Sequence, residues 1–245
     1  DDKIGLDISC NLASGHMGNM IKNNTIEETV IAAMEIMNSV SEKTNIAHVP
    51  AVARANNLMR SVGFGIMGHH GFIAENYIAY GSPEDIDLID VFFSLINFYS
   101  LKFSMQKARD TGLRFYGFER SDYADGSYFN DRGPVLPQTD VVKDILKNVV
   151  IPTEEEWTQL KDDVMTFGLY NSNRLAVAPN GSIAYVMSAT PSLTPIKQLV
   201  EERTYGNSKT YFPMPAADVA GFMYESAYSM DKYRVIDVIA TAQKH

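Results

Sequence analysis

The chain has 245 residues, 45% hydrophobic and 21% charged, an ordinary globular composition that excludes a disordered tail, a collagen-like repeat and a coiled coil. Thirty Asp and Glu against 21 Lys and Arg leave a net charge of −9 with no basic cluster, so no nucleic-acid partner is expected. The single cysteine, Cys10, excludes an internal disulfide framework and a cysteine-rich zinc site, and it fits a reducing compartment.

The length suits one large domain, read here as residues 1–245. The start, Asp1-Asp2-Lys3-Ile4-Gly5, lacks the basic-then-apolar order of a signal peptide. Thr25-Ile26-Glu27-Glu28 reads as a capping box opening a helix to about Glu42, with Ile26, Val30, Ala33, Met37 and Val40 on one face. Ser82 as N-cap and Pro83 at the first helical position open a second helix. It runs through Val91, Phe92, Leu95, Phe98, Tyr99 and Leu101 to Ala108, with Gly112 as its stop. Apolar nearly all round, it is expected deep in a core. Its stretch Val91 to Phe103 is interrupted by Ser94, Asn97, Ser100 and Lys102, too short and too polar to span about 30 Å of hydrocarbon. A cytoplasmic chain without membrane partners is the expectation.

Residues 117–138, with three glycines and two prolines, read as a long irregular connection. Thr153 to Glu156 form another capping box, for a helix that stops near Gly168. Arg174 to Ala178 read as a short buried strand and Pro179-Asn180-Gly181-Ser182 as a turn. Gln198–Arg203 and Lys209–Phe212, joined through Tyr205-Gly206-Asn207-Ser208, read as a hairpin, and a last helix runs from about Asp231 to the end. Strands alternating with helices argue an α/β fold. The last helix ends without a cap, and the first apolar segment begins almost at once, so both ends are expected to be cuts.

Several motifs carry chemistry. Gly63, Gly65 and Gly68 match G-x-G-x-x-G, but the acid expected about 20 residues on would be Glu84 or Asp85, in a helix's first turn. Close packing of a strand against a helix is the stronger reading. The turn Pro179-Asn180-Gly181-Ser182-Ile183 after a strand offers backbone donors and a hydroxyl to a phosphate, without the Gly-Lys-Ser/Thr ending of a P-loop. His69 and His70 are adjacent, so they do not face one point on a helix, and no metal site is expected. Glu201-Glu202-Arg203 reads as a solvated or cross-strand charge set. A buried Cys10 would be an inert small hydrophobe.

Leu6-Asp7-Ile8-Ser9-Cys10-Asn11-Leu12, Pro179-Asn180-Gly181-Ser182-Ile183 and the run from Glu201 to Tyr211 together resemble the large subunit of class Ib ribonucleotide reductase. Order and spacing match, Ser61–Ala74 and Ile151–Lys161 fit between them, and essentially the whole chain is covered. The resemblance implies part of a ten-stranded α/β barrel, incomplete at both ends. It implies replacement of the 2′-hydroxyl of ribonucleoside diphosphates by hydrogen, started by a cysteine thiyl radical and completed by a redox cysteine pair. Cys10 would be one member of that pair. Pro179, Asn180, Gly181, Ser182 and Ile183 would form the substrate diphosphate loop. No metal or cofactor would bind this chain. The radical would come from a dimetal-tyrosyl small subunit, and reducing equivalents from a thioredoxin- or glutaredoxin-like protein. The radical cysteine and the partner of Cys10 would lie before Asp1, the relay tyrosines and the cysteine-bearing tail after His245, in cis or in trans. The isolated chain is then expected to be inactive. Two departures stand out: Asn180 where the family usually has Thr, and Ala13-Ser14-Gly15-His16-Met17 where it has a Gly-Ser-Leu-Asn-Ile-like run. The alternatives are a stand-alone nucleotide-binding oxidoreductase using Gly63, Gly65 and Gly68, and a non-catalytic remnant.

Overall fold

The first strand, β1 (Asn11–His16), runs directly into the short helix α1 (Met17–Lys22), because the His16 imidazole turns back to accept the Asn19 N–H at 3.3 Å. The structure, a computed structural model, describes residues 5–245; the chain start read above for a signal peptide lies largely outside the described residues. Helix α2 (Ile26–Lys43) follows as expected, but its N-cap differs. Thr25 sits at φ −118°, ψ 29°, outside the extended conformation a cap needs, and its side chain makes no capping bond. The buried stripe is Ile26, Val30, Met34 and Met37, spaced four, four and three, which leaves Val40 about half exposed.

Helix α3 (Pro50–Met59) ends at Arg60 in a left-handed conformation, and β2 (Val62–Met67) pairs with β1 in parallel, Asn11 opposite Val62 through His16 opposite Met67. Gly68, at φ 82°, makes the turn into α4 (His69–Glu75). On its other edge β2 meets residues 173–176. The Phe64 N–H donates to the Arg174 carbonyl at 2.8 Å, and the Ala176 N–H donates to the Phe64 carbonyl at 2.9 Å. This is the expected strand at Arg174–Ala178, reduced to one parallel bridge between Phe64 and Leu175. Arg174 and Ala178 are buried, but Val177 is about half exposed. The parallel sheet among the described residues amounts to these three runs.

Helix α5 (Pro83–Thr111) carries the core. Ser82 Oγ accepts the Asp85 N–H, and Gly112 ends the helix at φ 69°, as its sequence requires. Its length and apolar composition do suffice to cross a membrane, against the sequence reading, but 89% of the apolar window is buried inside the protein. It is a core helix. The 117–138 connection is irregular apart from two single 3-10 turns, and α6 (Asp140–Ile145) follows. Helix α7 (Glu154–Phe167) has both bonds of its capping box, with the Thr153 N–H to Glu156 at 2.8 Å and the Glu156 N–H to Thr153 Oγ1 at 3.3 Å. Phe64 from β2, Met34 from α2, Phe92 and Leu95 from α5 and Trp157 from α7 share one buried cluster.

The last quarter holds α8 (Gly181–Val186), the expected hairpin β3 (Val200–Tyr205) and β4 (Ser208–Pro213), a single turn α9 (Ala217–Ala220) and α10 (Lys232–Gln243). Gly206, at φ 60°, closes the hairpin.

Candidate active site

The two faces of the parallel runs differ in chemistry. Val62, Phe64 and Ile66 of β2 are buried in the core, on the side where Asn11 Nδ2 donates to the Met37 carbonyl of α2. By the period of two, Cys10, Leu12 and Ser14 lie on the other face, with Gly63 and Gly65. A Cβ on Gly63 would stand 2.6 Å from Leu12 Cδ2, 2.8 Å from Ala176 Cβ and 3.2 Å from the Cys10 sulfur. One on Gly65 would stand 2.6 Å from the Ala176 carbonyl oxygen and 2.9 Å from the Ala178 nitrogen. The glycines therefore let the third run lie close against β2, so the close packing is against an extended run and not against the expected helix, because β2 is flanked on that edge by residues 173–176. Both lie inside a strand rather than at its end, so the dinucleotide fingerprint lacks its structural context, as the misplaced acid foreshadowed.

Cys10 is exposed and free, its thiol at 3.7 Å from the Asn11 carbonyl. It is not the inert buried hydrophobe that a lone cysteine usually makes. Above it on the same face the third run ends in Pro179 and Asn180, and the chain enters α8. Pro179, Gly181, Ser182 and Ile183 are exposed; Asn180 is buried. Gly181 has open space where a Cβ would stand, and its φ is not in the left-handed region, so glycine there is not a conformational necessity. Ser182 makes no side-chain hydrogen bond among the described residues, which leaves its hydroxyl available.

Asn180 behaves differently from its neighbours. Its Nδ2 donates to Ser14 Oγ at 2.9 Å and to the Ile66 carbonyl at 2.8 Å, and its Oδ1 accepts the Ser192 N–H at 2.5 Å. The side chain is thus buried and fully engaged within the protein. Four residues of strand separate Cys10 from Ser14, about 13 Å. The structure brings Cys10 and the 179–183 loop onto one face, at different levels of it.

Helix α8 is braced from behind by the hairpin. The Tyr185 hydroxyl donates to Glu201 through a short hydrogen bond and accepts from Arg203 Nη2 at 2.7 Å, and its ring stacks on Phe212 at 4.6 Å between centroids. Glu202 pairs across the strands with Lys209 at 2.7 Å. Glu202 is thus the expected cross-strand charge, whereas Glu201 is committed to Tyr185.

The histidine pair is structural. His69 is fully buried, with Nε2 at 2.6 Å from Asp85 and Nδ1 at 3.1 Å from the Leu193 carbonyl. His70 Nδ1 accepts the Ile196 N–H at 3.1 Å. Both rings stand edge-on to Tyr80, but their nitrogens serve different partners. Among the described residues no three His, Cys, Asp or Glu are grouped to hold a metal ion. Burial, with the neighbouring His69, pushes the His70 pKa down to about 3.

Two features escaped the sequence reading. Arg174 is buried, with Nη1 donating to the Asn97 amide oxygen at 3.0 Å and Ser100 Oγ at 2.6 Å. Its Nη2 donates to the hydroxyls of Tyr123 and Tyr128. Burial alone would raise the Tyr128 pKa, but Arg174 and Arg132 together hold it below the usual value. An arginine heading an otherwise apolar run was the available signal. The inward turn of Asn180 was the second, and nothing local announces it.

The family model of the ribonucleotide reductase barrel domain matches residues 3–219. The chain is 49% identical over its whole length to ribonucleoside-diphosphate reductase NrdEB subunit alpha of Bacillus subtilis, covering 23% of that protein. It is 46% identical to a second alpha subunit of the same organism and 37% identical to that of Mycoplasma pneumoniae, covering 35% of each. It thus spans 23% to 35% of the length of these relatives. The match runs through the exposed cysteine, the close-packed glycines and the 179–183 loop alike, and the chain belongs to the ribonucleotide reductase family, within its barrel domain.

Proposed function

We propose that this chain is a segment of a class Ib ribonucleoside-diphosphate reductase catalytic subunit, part of its ten-stranded barrel, that reduces ribonucleoside diphosphates for DNA precursor synthesis in the cytoplasm. Cys10 is one member of the redox pair. The 179–183 loop holds the substrate diphosphate, through the backbone N–H groups of Gly181, Ser182 and Ile183 and the Ser182 hydroxyl. The observation that carries this reading is the exposed Cys10 thiol on the same face as a loop whose serine hydroxyl is free.

The chemistry sets what else is needed. Reducing the ribose 2′ carbon takes two electrons, which two thiols give up on forming a disulfide. With one cysteine in 245 residues, the second thiol and the radical-bearing cysteine come from another stretch of polypeptide, in cis or in trans. The small radical-generating subunit and a thioredoxin-like reductant complete the cycle. The chain alone is therefore inactive in this reading.

The test is a chimera in which this chain replaces the matching stretch of the 46%-identical Bacillus subtilis alpha subunit. The chimera should reduce ribonucleoside diphosphates with its small subunit and a dithiol. Cys10→Ser should abolish multiple turnover while the fold is kept, since an exposed Cys→Ser change moves stability by no more than about 0.5 kcal/mol. A folded Cys10→Ser chimera that still turns over rejects the redox assignment.

A further inference from the structure

The buried Asn180 side chain uses both amide hydrogens and its oxygen within the protein: Ser14 and the Ile66 carbonyl receive the hydrogens, and the Ser192 N–H is accepted. These partners belong to β1, β2 and the loop after α8. No N–H of the side chain remains for a ligand. We propose that Asn180 is a positioning residue, which locks the 179–183 loop to both strands and orients the Ser14 hydroxyl toward the substrate without touching the diphosphate itself. This rests on the reading of that loop as the diphosphate site.

Three features support the assignment. First, a threonine hydroxyl has one hydrogen, so it cannot donate to Ser14 and Ile66 together while accepting from Ser192. Only an amide at this position serves all three partners at once. Second, Ser14 receives an N–H from Asn180 and makes no other side-chain hydrogen bond among the described residues. Its own hydrogen is left to donate, from the same face as Cys10. Third, Ser192 is held at φ 55°, a left-handed conformation that non-glycine residues rarely keep without a tether. The Asn180 oxygen is that tether.

Two measurements test it. In the chain itself, Asn180→Ala and Asn180→Thr should each speed exchange of the Ser192 amide hydrogen about tenfold or more, relative to amides in the core of α5. In the chimera, Ser14→Ala should raise KM for a ribonucleoside diphosphate about tenfold, the usual effect of losing one hydrogen bond to a charged group, and Asn180→Ala by more. In both, kcat at saturation should stay within about twofold. The double variant should be no worse than Asn180→Ala alone, because Ser14 acts only when oriented. Unchanged exchange at Ser192 overturns the clamp. Multiplying KM effects in an active chimera overturn the positioning role and leave the reductase reading standing. A chimera inactive before any change at Asn180 fails the reductase reading, and the positioning role falls with it.

Discussion

Cys10, just before β1, lies diagonal to Gly63 of β2 on the same face, and a single methyl on Gly63 would stand 3.2 Å from the Cys10 sulfur. The room around the thiol is therefore made by the absence of a side chain on the neighbouring strand. The same absence at Gly65 admits backbone instead, with the Ala176 carbonyl 2.6 Å from where a Cβ would be.

This difference ranks two substitutions. Gly63→Ala presses on a leucine methyl, an alanine methyl and the thiol, two of which belong to side chains that can turn, and should cost about 1–2 kcal/mol. Gly65→Ala presses on backbone that cannot yield without shifting residues 176–178, and should cost about 2–3 kcal/mol or more. Denaturant melts of the two variants check the order. Equal losses would mean that the third run is free to move off β2.

Acid should destabilise the protein through His70. Its folded pKa of about 3 lies below the ordinary value of 6.5, so the unfolded chain binds the extra proton between those values. The contribution is complete above about pH 6.5 and is lost as pH falls toward 3, at up to about 1.4 kcal/mol per pH unit. His70→Gln keeps an acceptor for the Ile196 N–H but cannot take the proton. Melts at pH 7.5 and 4.5 should show a smaller difference for the variant than for the native chain. An equal difference would place the acid sensitivity elsewhere.

Removing Arg174 should be felt at Tyr128. With the guanidinium gone and burial unchanged, the phenol loses the cation that holds its pKa down, and its titration should move up. Arg174→Gln should also cost roughly 2–4 kcal/mol, since Tyr123, Ser100 and Asn97 lose charge-assisted bonds in a buried site. Phenolate absorbance followed against pH reports the first effect and melting the second. A Tyr128 titration that stays put would show that Arg132, at 4.0 Å from the ring centroid, is the controlling cation.

Thr153→Ala offers a local control. It removes one bond of the capping box of α7 and should lower stability by about 1 kcal/mol, while Thr25→Ala should do almost nothing, because Thr25 makes no capping bond. Comparable losses at the two sites would contradict the different geometries of these N-caps.

Elements with a local cause are legible in the amino-acid sequence. Ser82, Pro83 and Gly112 bound α5, Thr153 and Glu156 open α7, and Tyr205 to Ser208 turn the hairpin, because caps and turns involve only residues a few positions apart. The resemblance that proposes Cys10 and the 179–183 loop as sites likewise rests on local runs of sequence. Features that depend on distant neighbours emerge only in the packed chain. Thr25 has the residues of a capping box but not the backbone angles, Val40 falls off the buried stripe of Ile26, Val30, Met34 and Met37, and α5 is buried because other elements enclose it. Most of all, Asn180 turns inward because Ser14, Ile66 and Ser192, all distant in the chain or beyond α8, converge on its amide. A residue's type fixes how many hydrogen bonds it can make; only the packed chain fixes with whom.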